Sequence, residues 1–324
     1  MKIFVTGGSG FVGGYLIPKL VAHGYDVLAL ARSDTAIKKV ESTGATSVKG
    51  DITDQTVLDN ALRGCDVVIH AAATFEMWGD EAQFYKVNVE GTQKLVSAAQ
   101  KNGVSRFIYI SAASVIADGT PANMVDETYM PKQIPNSPYS KTKWLGEQHV
   151  LLANRPNFTT LSLRPPFIWG NGHSMIEEIR KASQKGRWVW IAGGHHHLAT
   201  VHIDNLCSAI LTSIHTGDGG EAYYITDGEL MSIRQFLTEW MYTQGITLGT
   251  RSIPYWMAQV SASVLATIWR VLRLTSSPPI TPTMVSMMGV ELTVTDKKAR
   301  QKLGYQNQLT IQEGLGLLKK QHSE

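Results

Sequence analysis

The chain has 324 residues, 43% of them hydrophobic and 18% charged, a balance that fits a folded chain with a full core and excludes a disordered or fibrous one. Its formal net charge of +3 is too mild to suggest a nucleic-acid surface, and no uncharged apolar run reaches the roughly 18 residues of a membrane span. Two cysteines, Cys65 and Cys207, lack metal-ligand spacing and point to a reducing, cytoplasmic setting rather than a disulfide framework.

The first element is a short β-forming run, Lys2 to Thr6, that stops at Gly7, Gly8, Gly10, Gly13 and Gly14 and gives way to a helical pattern over 11–23. A Met-Lys-apolar opening resembles a leader peptide, but the stretch is already used as strand and helix. Strand, glycine turn and helix in that order are the context in which such glycines bind a dinucleotide. Gly7 allows the sharp turn, Gly10 the approach of a pyrophosphate, and Gly13 close packing of helix on strand. The helix N-terminus offers free N–H groups to the phosphates. The next apolar run, 27–30, does not alternate, as suits a parallel strand covered on both faces, and ends at Ala31 and Arg32. An acid at that point suits the ribose 2′-hydroxyl of NAD, and an arginine the 2′-phosphate of NADP. Arg32 therefore favours NADP(H), while Asp34 keeps NAD(H) open. The alternation continues: helix over 34–43, strand at 46–49, a turn at Gly50 and Asp51, strand at 66–69 ending in His70 and Ala71 to Ala73, a loop at 75–80 with an exposed-looking Trp78, helix over 81–100, and strand at 106–110. A turn-rich stretch leads to a helix that opens at Ser137 and Pro138, and a sixth strand falls near 158–163. The pattern predicts a doubly wound α/β fold with a parallel sheet. Residues 1–165 form its dinucleotide-binding domain, and 166–324 are mainly a smaller substrate-binding lobe interleaved with it.

On the helix after residue 137, Tyr139 and Lys143 are one turn apart and share a face. A phenol works as a proton donor and acceptor near neutrality only if its pKa falls from about 10, which a neighbouring ammonium favours. Thr6-Gly7-x-x-Gly10-x-x-Gly13, Gly50-Asp51, His70-x-Ala72-Ala73, Asn88-x-x-Gly91-Thr92 and Tyr139-x-x-x-Lys143, in this order, resemble the extended short-chain dehydrogenase/reductases, with a Rossmann fold. Arg164-Pro-Pro and Val201-His-Ile-Asp204 are similar to later motifs of that superfamily. Ser111 to Ser114, the Pro278-Pro-Ile-Thr stretch and 296–305 look most like its 3β-hydroxysteroid and sterol-carboxylate dehydrogenase branch. The resemblance implies Tyr139 as acid/base and Lys143 as the residue that binds the nicotinamide ribose and tunes it. Asn88 is implied near the active site, Gly7, Gly10, Phe11 and Val12 at the pyrophosphate, and Asp51 and Ile52 beside the adenine. Ala71, Ala72 and Ala73 are implied along the cofactor, with Pro166 close to the nicotinamide.

One position departs from the family. Its usual serine or threonine after the fifth strand falls on Ala112. Ser111 and Ser114 are the adjacent candidates. Side-chain alternation turns Ser111 to the other side, while Ser114 shares the side of 112 if the chain stays extended, which leans the reading to Ser114. In the second half the sequence predicts helices at 174–186, 204–216, 232–243 and 312–320, with strands at 187–191 and 222–226. The histidines 195–197 lack any metal-ligand spacing and read as a polar loop over the substrate. The uncharged stretch 255–269, followed by Arg270 and Arg273, reads first as a buried or lid helix around an apolar pocket. Its second reading is an interfacial helix making peripheral membrane contact through 255–273. The expectation is an NADP(H)-dependent oxidoreductase interconverting a secondary alcohol and a ketone on a small apolar substrate. The alternative is an NAD-dependent nucleotide-sugar epimerase or dehydratase. Ala112 and Ala113 stand where a dehydratase of this scaffold has an Asp-Glu pair, which weighs against the latter. A homodimer through the helices bearing Asn88 and Tyr139 is a further expectation of the resemblance.

Overall fold

The computed structural model describes every residue except Asn136, Thr275 and Glu324. Strands β1 (Lys2–Thr6), β2 (Asp26–Ala31), β3 (Thr46–Lys49), β4 (Val67–His70) and β5 (Arg106–Ile110) join Thr159–Arg164 and Glu221–Tyr224 in a seven-stranded sheet. Its order is Glu221–Tyr224, Thr159–Arg164, β5, β4, β1, β2, β3, and every pairing is parallel. Strand alternation explains why apolar runs without alternating polarity are needed. Ile3, Val5, Ile108, Ile110, Leu161 and Leu163 enter the core beneath α1 (Phe11–Ala22) and helix Ile203–Ser213, while Phe4, Phe107 and Tyr109 enter the opposite core beneath α3 (Gln55–Ala61) and helix Thr92–Lys101. The order of strands reverses between β1 and β4, so the crevice at their C-terminal ends is the ligand position of this architecture.

Helix formation follows local chemistry. Ser33, Asp54, Asp80 and Ser137 each accept a backbone N–H at a helix start, and Pro138 occupies the first turn of helix Pro138–Leu152, where it removes no hydrogen bond. The expected single helix from residue 81 is continuous but contains a π-turn at Lys86–Gly91 between Glu81–Tyr85 and Thr92–Lys101. The Asn88 carbonyl in that turn accepts from Thr92 Oγ1 at 2.8 Å, and Gly146 of the neighbouring helix lies so close that a Cβ there would come within 2.5 Å of it.

The second lobe carries a five-stranded sheet of Leu230–Ser232, His197–His202, Leu292–Val294, Ala122–Val125 and Phe167–Trp169. Strand Ala122–Val125 lies in the stretch that reads as turn-rich. It is short, follows Gly119 and Pro121, and contains Met124 at a positive φ of 49°, so period-two alternation never develops. The expected strand at 187–191 shrinks to Trp190–Ile191, which pairs with Ser252–Ile253. The two halves of the chain exchange strands in both directions: Glu221–Tyr224 completes the first sheet and Ala122–Val125 the second.

Candidate active site

Around the first glycines the backbone is packed to contact. Gly7 has φ of +77°, and a Cβ there would lie 2.7 Å from the Ala71 carbonyl carbon. A Cβ on Gly13 would lie 2.3 Å from the Gly7 oxygen. The turn after β1 therefore meets the segment after β4 backbone to backbone, with no room for a side chain at Gly7. Gly10 is the N-cap of α1 and supplies no capping side chain, so the first-turn N–H groups of that helix remain free to bind an anion. Phe11 and Val12 are half-buried on the first turn, and the Phe11 ring meets His173 edge to face at 4.9 Å. These features fit a dinucleotide pyrophosphate.

A second group gathers where β2 and β3 end. Gly50 donates its N–H to the Ala31 carbonyl, which brings Asp51 beside Arg32 at 3.8 Å. Asp51 also accepts from the Thr53 N–H and hydroxyl. These bonds, with Arg32 and Lys86 nearby, outweigh the opposing effect of its burial and hold the carboxyl below its usual range. Ile52 is buried against Gly91. The Arg32 side chain is 71% exposed and its pairing is long, so the guanidinium is open to an added phosphate. Asp34 is directed elsewhere: it lies in the first turn of α2 (Asp34–Glu41) and pairs with Lys49 at 2.8 Å.

The third group surrounds Tyr139. Asn88 is buried and fully bonded. Its Oδ1 accepts from Thr74 N–H at 2.8 Å, and its Nδ2 donates to Thr74 O at 3.2 Å and to Thr142 Oγ1 at 3.0 Å. Asn88 thus ties the segment after Ala71–Ala73 to the helix that bears Tyr139 and Lys143. Beneath it runs a closed chain of hydrogen bonds. Ala72 N–H donates to Thr6 Oγ1, His70 bridges Thr6 Oγ1 at 2.7 Å and Thr92 Oγ1 at 2.8 Å, and Thr92 donates onward to Asn88 O. Because the Thr92 proton is already used, His70 must donate through Nε2 and accept through Nδ1. Burial, with the nearby Lys143 charge, pushes His70 well below its ordinary pKa and keeps it neutral.

Lys143 does not have the expected orientation. Its ammonium donates to the Ile110 carbonyl at 2.5 Å and lies 4.0 Å above the Tyr109 ring. Burial lowers its pKa to about 7, partly offset by Glu147 one turn on, and burial alone raises that of Tyr139. The phenol is not assisted by the lysine in this arrangement. A buried ammonium takes the strongest acceptor within reach, here a strand-end carbonyl and a ring face. The Tyr139 ring packs edge to face on Phe75 at 4.8 Å.

The serines also differ from expectation. After Ala112 the chain turns into a 3₁₀ segment, Ala113–Ile116, so the extended path that would put Ser114 on the side of residue 112 is not followed. Ser111 and Ser114 are both buried, and neither hydroxyl has a hydrogen-bond partner among the described residues. Ser111 N–H donates to Leu163 O and Ala113 N–H to Pro165 O, which sets this turn beside Pro166. Two buried hydroxyls on the turn packed against the Tyr139 helix are free to engage a water or a ligand oxygen.

Sequence reasoning missed the charged support under this helix. Glu147 is fully buried and receives Arg164 through bonds of 2.6, 3.0 and 3.1 Å and Ser162 Oγ at 2.7 Å. Its position four residues after Lys143 was the available signal. A cavity of about 270 Å³ adjoins the helix start, lined by Ser137, Gly119, Tyr255, Gln259, Ala262 and Thr283 among others. The histidines 195–197 are not among its lining residues; they precede or open strand His197–His202, where His197 pairs with Glu291.

The chain matches the pattern of the 3-beta hydroxysteroid dehydrogenase/isomerase family over residues 4–255. It is 38% identical to a 4-hydroxy-2-methyl-3-oxo-4-farnesyl-3,4-dihydroquinoline-1-oxide ketoreductase of Stigmatella aurantiaca, over 98% of this chain and 96% of that one. It is 33% identical to a decarboxylating sterol-4-alpha-carboxylate 3-dehydrogenase of Dictyostelium discoideum, over 97% and 98%. A solved UDP-glucose 4-epimerase from Thermotoga maritima shares the fold with a TM-score of 0.78 at 21% identity, over 99% of this chain and 98% of that one. The glycine turn, the Tyr139 helix and these matches agree: the chain belongs to the 3-beta hydroxysteroid dehydrogenase/isomerase family, within the extended short-chain dehydrogenase/reductases.

Proposed function

We propose that the protein is an NADP(H)-dependent oxidoreductase that interconverts a secondary alcohol and a ketone on an apolar substrate. The observation that carries the reading is the packing of the helix bearing Tyr139 and Lys143 against the end of β5 and the turn after it, where the unpartnered hydroxyls of Ser111 and Ser114 lie. The names of the relatives, a farnesylated-quinoline ketoreductase and a sterol 3-dehydrogenase, support both the chemistry and an apolar substrate. The cavity of about 270 Å³ beside Ser137 is near the lower end of the roughly 300–1,000 Å³ range of small-molecule sites.

A bound nicotinamide supplies or accepts the hydride. Gly7, Gly10, Phe11 and Val12 would hold its pyrophosphate, Ala71 to Ala73 would line it, and Asp51 and Ile52 would flank the adenine. Arg32 would pair with the 2′-phosphate. Tyr139 exchanges the proton of the substrate oxygen. One of Ser111 and Ser114 donates to that oxygen, and Lys143, on leaving the Ile110 carbonyl, would hold the nicotinamide ribose and favour the phenolate. Asn88 keeps the cofactor-side loop and the catalytic helix in register. Pro166 would lie close to the nicotinamide, beside the 3₁₀ turn.

The test is turnover on a panel of 3β-hydroxysteroids, apolar ketones and UDP-sugars with each nicotinamide cofactor. Redox of added NADP(H) with an apolar compound is the expected result. Tyr139→Phe should then lose about 10²–10⁴-fold in kcat while still binding cofactor. Sugar inversion without net cofactor change, or unchanged turnover in the phenylalanine variant, would overturn the reading.

A further inference from the structure

Tyr139, Lys143 and Glu147 follow one another at intervals of four along helix Pro138–Leu152, which sets them in one row on that helix. The first two have roles in the proposed function; the third has none. Glu147 is fully buried, and its carboxylate accepts from Ser162 Oγ and from Nε and Nη2 of Arg164. Both partners belong to strand Thr159–Arg164, which pairs with β5. A buried ion pair is a weak source of stability, since apolar side chains of the same volume often serve as well or better. Its place at the end of this row therefore points to the site.

The pair joins the parts of that site. Arg164 directly precedes Pro165 and Pro166, and the serine turn hangs on the same strand end: Ser111 N–H donates to Leu163 O and Ala113 N–H to Pro165 O. Next to Glu147 in the chain, Gly146 lies against the Asn88 carbonyl. Residues 146 and 147 thus lock the Tyr139 helix between the π-turn of Asn88 and the strand end of Arg164.

The pair also sets the charge around Lys143. The ammonium meets the Ile110 carbonyl and the Tyr109 ring, neither of which carries a formal charge. His70 is kept neutral by burial and by Lys143 itself, and burial raises the pKa of Tyr139 and so keeps it a phenol. Burial pulls Lys143 down to about 7, and the acid that opposes this is Glu147. Behind Glu147 stands Arg164, which donates to Tyr224 Oη at 3.4 Å and feels the charge of Glu127, itself the acceptor of Tyr224 N–H at 2.8 Å. Lys141, paired with Glu81, and the exposed His149 lie on the solvent side of the helix.

We propose that Glu147 is a positioning residue: it keeps Lys143 in the ammonium form that the phenol and the nicotinamide ribose require, and with Arg164 it fixes the Tyr139 helix against the turn of Ser111 and Ser114. The consequence for turnover rests on the proposed function, whereas the hold on the Lys143 proton does not.

The experiment follows the titration of Lys143 by carbon-13 NMR of chains labelled at the lysine ε-carbon, with Lys143→Met identifying the signal. It needs neither substrate nor cofactor. Glu147→Gln keeps the shape of the acid and removes its charge, and Arg164 retains Tyr224 and Glu127 beside it. The Lys143 midpoint should fall by about one to two pH units, the effect of a unit charge one helical turn away at an effective dielectric of about 20. The alkaline limb of kcat/KM should fall with it. Glu147→Gln with Arg164→Met leaves no stranded arginine, carries the test if the single variant does not fold, and should lower the midpoint by a smaller step. Ser162→Ala loosens the bonding but keeps both charges, and should leave the midpoint in place. An unmoved midpoint in a folded Glu147→Gln chain, or an equal fall in Ser162→Ala, would overturn the proposal. So would loss of folding in both Glu147 variants, which would give the pair to the fold rather than to the lysine. A midpoint that falls in a chain inactive on the whole substrate panel would strike the proposed function and leave the hold of Glu147 on Lys143 standing.

Discussion

Lys143 is held under conditions that an ammonium tolerates poorly. It is 1% exposed, its pKa is lowered to about 7 from 10.5 by burial, and its hydrogen bond goes to a carbonyl rather than a carboxylate. Between those two values the unfolded chain binds a proton that the folded chain lacks. Stability therefore rises with pH across the window, and the burial penalty is fully present below pH 7. Lys143→Met should remove that penalty, raise stability at pH 7 by about 1–3 kcal/mol, and flatten the increase in the denaturation midpoint from pH 7 to 9. Turnover should be lost in the same variant, since the proposed ribose contact and phenol tuning go with it. A methionine variant less stable than the parent, with an unchanged pH slope, would show that the ammonium is well solvated. Tyr139 and Lys143 are legible in the sequence because a one-turn spacing is local. The direction of the Lys143 ammonium is not, because it depends on the Ile110 carbonyl, an acceptor more than thirty residues away in the chain.

Elements were readable in proportion to how far local signals determine them. The strands of the first half were legible because a parallel sheet covered on both faces needs uniform apolar runs, and α1, α2 and the Tyr139 helix because caps and glycines mark their starts. The π-turn at Lys86–Gly91 was invisible, since no propensity signals it; it exists because Asn88, Thr92 and the closely packed Gly146 hold it. The 3₁₀ turn at Ala113–Ile116 was missed for the same reason, which left the assignment of Ser114 resting on an extended chain that is not there. At the end of β2 the element itself suggests a test. Arg32 is exposed beside Asp51, while Asp34 is engaged with Lys49. Arg32→Glu should therefore lower kcat/KM for NADPH by about 10- to 100-fold, the scale of one charge-assisted phosphate contact. The value for NADH should change by no more than a few fold. Equal losses with both cofactors would mean that Arg32 acts through Asp51 and the adenine end instead.

At the scale of the molecule, the sequence reads as a dinucleotide-binding domain to residue 165 followed by a substrate lobe interleaved with its sheet. The packing does not divide at that point. One core contains Ile3, Val5, Leu161 and Leu163 from the first half together with Val201, Ile203, Leu206, Ile210, Tyr223, Ile225 and Tyr305 from the second. The last strand of the first sheet is Glu221–Tyr224, and Arg106 near the start of β5 is held by the Ser213 and Gly217 carbonyls. A chain ending at residue 165 would leave Thr159–Arg164 as a bare edge and expose the Leu161 and Leu163 face that helix Ile203–Ser213 covers. Unpaired edges and exposed apolar faces of this kind drive association. Each large apolar side chain left uncovered forfeits roughly 1.5–3 kcal/mol, and several are lost at once, against a typical total of about 5–15 kcal/mol for a domain. The shortened chain should therefore show no cooperative unfolding transition and no NADPH binding, even though every residue proposed to hold the pyrophosphate is retained. Circular dichroism through a denaturant series, with cofactor fluorescence on the same samples, checks this. A sharp transition with cofactor binding intact would mean that the first 165 residues fold alone and that the second half only supplies the substrate pocket.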